Sequence, residues 1–258
     1  MNFIQYEVDG HIAKVTLNRP NVLNAFNYEM LLQLEEVVEE IRINEAVRVV
    51  VITGAGEKAF SVGADLKERK SLTAEEVKRN IYKIGEIFTK IEQLPQPVIA
   101  VLNGYAFGGG MELALACDFR IAADNTFIGL TETSLAIIPG AGGTQRLPRL
   151  IGEAKALELI LTARKFSTVE GYTYGMFTEV VPPDQLEESA QRLAGAMLQN
   201  GPVALRQAKF SIKEGMKVDL QTGLHLERKA YELTIPTEDR MEALTAFSEK
   251  RKPIFKGK

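Results

Sequence analysis

The chain is short of the residues that several common chemistries require. Its single cysteine, Cys117, rules out an internal disulfide framework and fits a reducing compartment. There are two histidines, His11 and His225, and no His/Cys/Asp cluster has metal-ligand spacing, so no metal site is expected. No G-x-S-x-G elbow marks a serine hydrolase. No window reads G-x-G-x-x-G, and the glycine-dense segments lack the lysine and hydroxyl residue of a nucleotide P-loop. No stretch approaches the ~18–20 apolar residues that span a bilayer. Residues Met1 to Thr16 alternate polar and apolar, unlike a secretory signal. A cytoplasmic protein with no membrane partner is the expectation.

The net charge of -3 argues against a dedicated nucleic-acid binder. With 258 residues and 45% hydrophobic content, the chain can bury a large core without staples.

Ile4–Val8 and Ile12–Leu17 alternate with period two around Asp9-Gly10, the signature of a hairpin. Apolar residues then recur at helical spacing over Tyr28 to Ile43. Arg48–Thr53 and Val98–Leu102 read as strands buried on both faces. Between them Thr73-Ala74-Glu75-Glu76 opens a helix that runs to about Gln93. Gly108–Cys117 reads as an apolar helix and Phe119–Ala123 as the next strand. After Pro182-Pro183 only helical patterns remain. The sequence therefore divides into a mixed α/β core over 1–200 and a helical region over 201–258.

Glu112 lies in Met-Glu-Leu-Ala-Leu-Ala-Cys, a helix apolar on every side, where an unpaired carboxylate is costly. It is either functional or tied to a structural arginine. Gly108-Gly109-Gly110 precedes it, and bare backbone at a helix N-terminus suits an oxyanion. Gly63-Ala64-Asp65-Leu66-Lys67 repeats that theme. Lys67, Arg69 and Lys70 either reach phosphates or form a solvated face. Glu132, 20 residues after Glu112, passes by itself as a surface glutamate, but Pro139-Gly140-Ala141-Gly142-Gly143 follows it and is too glycine-dense for a routine loop.

In order, Asn18-Arg19-Pro20…Leu23-Asn24-Ala25, Ala59 to Lys67, Asn103 to Leu113, Glu132, Ile138 to Leu147 and Phe247…Lys250-Arg251 resemble the crotonase, or enoyl-CoA hydratase/isomerase, superfamily over essentially the whole chain. The resemblance implies an α/β fold, a spiral of β-β-α units with a C-terminal helical trimerisation region. It implies an oxyanion hole from the N–H groups of Ala64 and Gly109, and Glu112 and Glu132 as the paired acids of a hydratase. Glu132 would be the acid at Cα and Glu112 the base for water.

Val62, Ala64, Asp65, Leu66, Lys67 and Gly109 would contact the substrate and its coenzyme A. Gly140 would contact the attacking water, and Phe247 and Lys250 would reach the coenzyme A of a neighbouring subunit. Phe26, Tyr82 and the helix after Thr73 would shape the acyl pocket. The substrate is an acyl-CoA thioester, so no separate cofactor is implied, and self-association into a trimer or hexamer is.

Gly129–Thr133, Leu147-Pro148-Arg149 and Thr234–Arg240 look especially like methylglutaconyl-CoA hydratases of leucine breakdown. A Δ3,Δ2-enoyl-CoA isomerase of the same superfamily is the rival activity. Some methylglutaconyl-type hydratases bind RNA through a lysine-studded helix. The matching helix here carries Glu29, Glu35, Glu36, Glu39 and Glu40 against Arg42, the wrong sign for phosphate, so no nucleic-acid partner is expected.

Overall fold

The computed structural model describes residues 2–258, which form two units: 2–94 with 98–191, and 95–97 with 192–258. In the first unit, hairpin strands β1 (Ile4–Asp9) and β2 (Ile12–Leu17) pair antiparallel, Ile4 opposite Leu17. Helix α1 (Tyr28–Ile43) follows, with Asn27 accepting from the Met30 amide as its N-cap. Its stripe of Met30, Leu34, Val38 and Ile41 is buried.

From there the chain winds in repeated β-β-α turns. The first turn holds β3 (Val49–Gly54), β4 (Ala59–Ser61), α2 (Leu66–Ser71) and α3 (Ala74–Glu92), the last opened by a capping box between Thr73 and Glu76. The second holds β5 (Val98–Leu102), β6 (Tyr105–Phe107) and α4 (Gly109–Ala116). The third holds β7 (Phe119–Ala123), β8 (Phe127–Gly129), α5 (Gly143–Ile151) and α6 (Glu153–Leu161). The unit finishes with β9 (Phe166–Ser167), α7 (Thr168–Thr173) and β10 (Glu179–Val181).

The first strand of each turn joins a six-stranded sheet of order β1-β2-β3-β5-β7-β10, parallel from β2 onward. The second joins a four-stranded sheet of order β4-β6-β8-β9. This is the spiral that the resemblance implies. Every residue of β5 is buried, as its unbroken apolar run predicts. The short strands of the second sheet carry no legible period and are additions to the sequence reading.

Two asparagines lock the turns together. Asn24, fully buried, donates to the carbonyls of Ala55 and Ala59 and accepts from the Arg19 amide. Asn103 donates to the Gly54 and Gly56 carbonyls and accepts from the Gly54 amide. Each pairs with main-chain groups around the connection from β3 to β4.

Helix α8 (Leu186–Leu198) leads out of the first unit. The second unit is built from α9 (Pro202–Gly215), α10 (Leu220–Glu232) and α11 (Glu238–Glu249). Among the described residues, no strand follows β10 and no helix is long and apolar enough to cross a membrane.

Helix α4 lies so close to β4 that a Cβ on Gly110 would sit 2.0 Å from the Ser61 carbonyl oxygen. Gly110→Ala is expected to destabilise the fold by about 1–3 kcal/mol, as overpacking does. Gly85→Ala, on α3 with nothing within 4 Å, is expected to stabilise it by about 0.5–1 kcal/mol. Urea midpoints of the two variants check the pair; equal effects would contradict the close approach.

Candidate active site

Two backbone amides meet at the head of α4. Gly63, at φ +85, turns the chain out of β4, and an ideal Cβ there would lie 2.7 Å from the Gly109 nitrogen. A Cβ on Gly109 would lie 3.8 Å from the Ala64 nitrogen, so the two N–H groups are neighbours. Gly109 opens the helix, so its N–H has no acceptor within it. Ala64 forms a bridge with Phe26, but Gly63 and Asp65 make its hydrogen bonds, not Ala64 itself.

Asp65 holds this corner in place. One carboxylate oxygen pairs with Arg19 at 3.0 Å, and the other caps α2 at the amides of Lys67 and Glu68.

Glu112 is the fourth residue of α4 and is 3% exposed. Its Oε1 accepts from the amides of Ala141 and Gly143, both at 2.8 Å. The glycine-dense turn is therefore a carboxylate clamp, a role that the sequence did not disclose. The tie to a structural arginine takes an indirect form. Arg146 donates to the Ala141 carbonyl at 2.9 Å and to Glu92 at 2.7 Å, bracing the turn. Burial pushes the Glu112 carboxyl up from its ordinary value, while the two amides and the Arg146 cation pull it back.

Glu132 begins a short 3-10 helix, Glu132–Leu135, and is buried. Its Oε1 would lie 3.1 Å from a Cβ on Gly108, which places it against the turn that opens α4. Its Oε2 is buried without a hydrogen-bond partner among the described residues. Burial first, and the Glu112 charge second, raise its carboxyl to about 7. The fold thus brings Glu112, Glu132, Ala64 and Gly109 into one neighbourhood from three separate segments.

Ala64 also borders an open cleft enclosing about 320 Å³, some of it open to solvent. Phe26 and residues of α3 line that cleft, as expected; Tyr82 does not, and is 75% exposed. Gly140 is exposed, with its Cβ direction 3.6 Å from Ile81 at the cleft wall. Val62 is half-buried, and its amide donates to the Leu23 carbonyl. Leu66 and Lys67 are exposed on α2. Phe247 (86% exposed) lies on α11 of the second unit, with Lys250 as the C-cap of that helix. No group of three or more metal-ligating side chains occurs among the described residues.

A carboxyl raised from the ordinary 4.5 to about 7 binds more protons in the folded than in the unfolded chain between those values. Its contribution to stability is therefore full below about 4.5 and lost as the pH rises through about 7. Glu132→Gln removes that loss. The variant is expected to melt several degrees above the parent at pH 8 and to show no such gain at pH 4.5. Thermal unfolding at both pH values checks it; an equal difference at the two would contradict the raised carboxyl.

The sequence matches the enoyl-CoA hydratase/isomerase family over residues 7–258. The crystal structure of an enoyl-CoA hydratase from Bacillus anthracis superposes with a TM-score of 0.97 at 51% identity, covering 99% of this chain and all of that one. A short-chain-enoyl-CoA hydratase of Clostridium acetobutylicum is 42% identical over 98% of this chain and 97% of its own. The mitochondrial methylglutaconyl-CoA hydratase of Homo sapiens is 44% identical over 97% of this chain and 75% of its own. With its spiral of paired sheets and a match along nearly its whole length, the chain belongs to the enoyl-CoA hydratase/isomerase family.

Proposed function

We propose that the protein is a 2-enoyl-CoA hydratase, adding water reversibly and syn across the double bond to give a 3-hydroxyacyl-CoA. The observation that carries this reading is the pair of buried acids beside two unengaged amides, one acid clamped and the other with a bare oxygen. The thioester oxygen accepts from the N–H groups of Ala64 and Gly109. Each such donor stabilises the negative charge that develops on that oxygen by about 3–4 kcal/mol.

Glu112, whose ionised form the clamp and Arg146 favour, takes a proton from water as its oxygen bonds to Cβ. Glu132, protonated near neutrality, delivers a proton to Cα. One proton is gained and one lost, so a transfer between the two acids resets the pair. No separate cofactor enters, because coenzyme A arrives with the substrate; by the family resemblance Val62 and Ala64 to Lys67 would contact it and Gly140 would contact the attacking water. A 3-enoyl isomerase needs one proton-transfer group, and the second buried acid favours hydration.

The finer substrate in this reading is a branched enoyl-CoA of the methylglutaconyl type, supported by the name of the human relative. Self-association into trimers or hexamers of cytoplasmic protein completes it. Support comes from the apolar residues that the helical unit leaves exposed, among them Ile212 (66%), Met216 (84%), Leu220 (78%) and Phe247 (86%). Phe247 and Lys250 would then meet the coenzyme A of a neighbouring copy.

Loss of the conjugated-enoyl absorbance of crotonyl-CoA tests hydration; inertness alongside turnover of a 3-enoyl-CoA would make the enzyme an isomerase instead. Glu112→Gln and Glu132→Gln are each expected to lower kcat by about 10²–10⁴-fold with the fold intact by circular dichroism. In the hydration direction kcat is expected to fall as pH rises through about 7, where Glu132 loses its proton, and to fall in acid as Glu112 gains one. A flat profile across that range would contradict the roles assigned.

A further inference from the structure

The segment from Arg19 to Phe26 holds none of the reacting groups, yet it lies against the corner that carries the Ala64 amide. The Phe26 amide donates to the Gly63 carbonyl at 2.8 Å, and the Phe26 carbonyl accepts from the Asp65 amide at 2.9 Å. Both bonds go to neighbours of Ala64. In a parallel pairing the residue between two such neighbours turns its own N–H to the far side. The direction of that amide is therefore set by where Phe26 and Asp65 stand.

Arg19 reaches both sides of this bridge. Its Nη1 donates to the carbonyl of Ala25, the residue before Phe26, at 2.5 Å. Its Nη2 donates to the carboxylate of Asp65, the residue after Ala64, at 3.0 Å. One planar guanidinium thus joins the two chain segments beside the oxyanion amide, as a fork of fixed donors can and a point charge cannot. The pair is no loose surface contact: its side chains are 15% and 12% exposed. The cation also rests over the Phe3 ring, 5.4 Å from its centroid. The other Asp65 oxygen accepts from the amides of Lys67 and Glu68, so Arg19 alone holds the first.

The approach to Phe26 is strained. Leu23 and Asn24 both stand at φ 55, in the left-handed region that a leucine seldom enters. The corner itself holds them there. The Val62 amide donates to the Leu23 carbonyl at 3.2 Å, and the Ser61 hydroxyl donates to the Asn24 carbonyl at 2.8 Å. Backbone of this kind persists only where its surroundings over-determine it, as they do at preorganised sites.

The geometry points to Arg19 as a positioning residue for the reaction: by tying Ala25 to Asp65 it aims the Ala64 N–H at the thioester oxygen. This rests on the hydratase reading for the identity of that oxygen. It assigns a role to a side chain that acts only through the main chain of its neighbours.

The test reads the amide rather than the turnover. Butanoyl-CoA labelled with carbon-13 at the thioester carbonyl has no double bond to hydrate, and its C=O stretch falls in frequency when donors polarise it. Isotope-edited infrared difference spectra are expected to show a lowered stretch for the thioester bound to the parent, and Arg19→Met to lose most of that lowering. On crotonyl-CoA the same variant is expected to lose about ten- to a hundredfold in kcat/KM, carried by kcat. Arg19→Lys keeps the charge beside Asp65 but lacks the second arm, so it is expected to recover part of both.

A purely structural staple would lower the melting temperature and leave the bound carbonyl where the parent has it. That result in Arg19→Met would overturn the proposal, and in Arg19→Lys it would do so if Arg19→Met does not fold. A lowered stretch in the parent that Arg19→Met loses supports the proposal even if crotonyl-CoA is not hydrated, in which case the hydratase reading alone fails.

Discussion

Glu112 sits in a helix whose other side chains from Met111 to Ala116 are buried and apolar. What makes it tolerable there is a pair of main-chain donors, the amides of Ala141 and Gly143, converging on one carboxylate oxygen. Without them an ionised group at that depth would lose its water and gain nothing in exchange. The clamp needs a tight turn with little side chain, and a Cβ on Gly143 would lie 3.0 Å from the Glu112 oxygen. Arg146 occupies the space beside Gly142, holding the turn by the Ala141 carbonyl and anchoring it to Glu92 at the end of α3. The acid, the turn, the arginine and the anchoring helix depend on one another.

Glu132 receives the opposite treatment. It is buried near the same place, yet its Oε2 is given no donor, and the Glu112 charge raises its carboxyl further. Burial raises both carboxyls, but the clamp and Arg146 pull Glu112 back toward its anion while the Glu112 charge raises Glu132 further. That asymmetry lets two identical side chains take different roles at one pH. The β-β-α winding supplies the geometry: each turn sends its second strand into the small sheet, and the Gly63 and Gly108 corners that follow β4 and β6 set the Ala64 and Gly109 amides side by side.

Much of this was legible where the signal is local. The α1 range, the β5 run, the capping box at Thr73 and the helical character after Pro182 follow from periodicity and capping chemistry, and the structure agrees. The second sheet escaped because β4, β6 and β8 have three residues each, too few to establish a period. Glu112 stood out because its helix is apolar all round. Glu132 did not, because its burial comes from segments distant in sequence. The purpose of the glycine turn was hidden for the same reason: its target lies about 30 residues upstream, and glycine density reports freedom of the backbone rather than what its amides face. Arg69, legible in sequence as either a phosphate contact or part of a solvated face, is among the residues that line the cleft.

The central claim is that two buried carboxyls share one site and hold each other's proton affinity apart. Carbon-13 NMR titration of protein labelled at the glutamate side-chain carboxyl measures this directly in the parent and in Glu112→Gln. The account predicts a Glu132 carboxyl titrating at about 7 in the parent and shifting downward once the Glu112 charge is gone. A Glu132 carboxyl titrating in the ordinary glutamate range, or one unmoved by Glu112→Gln, would contradict it.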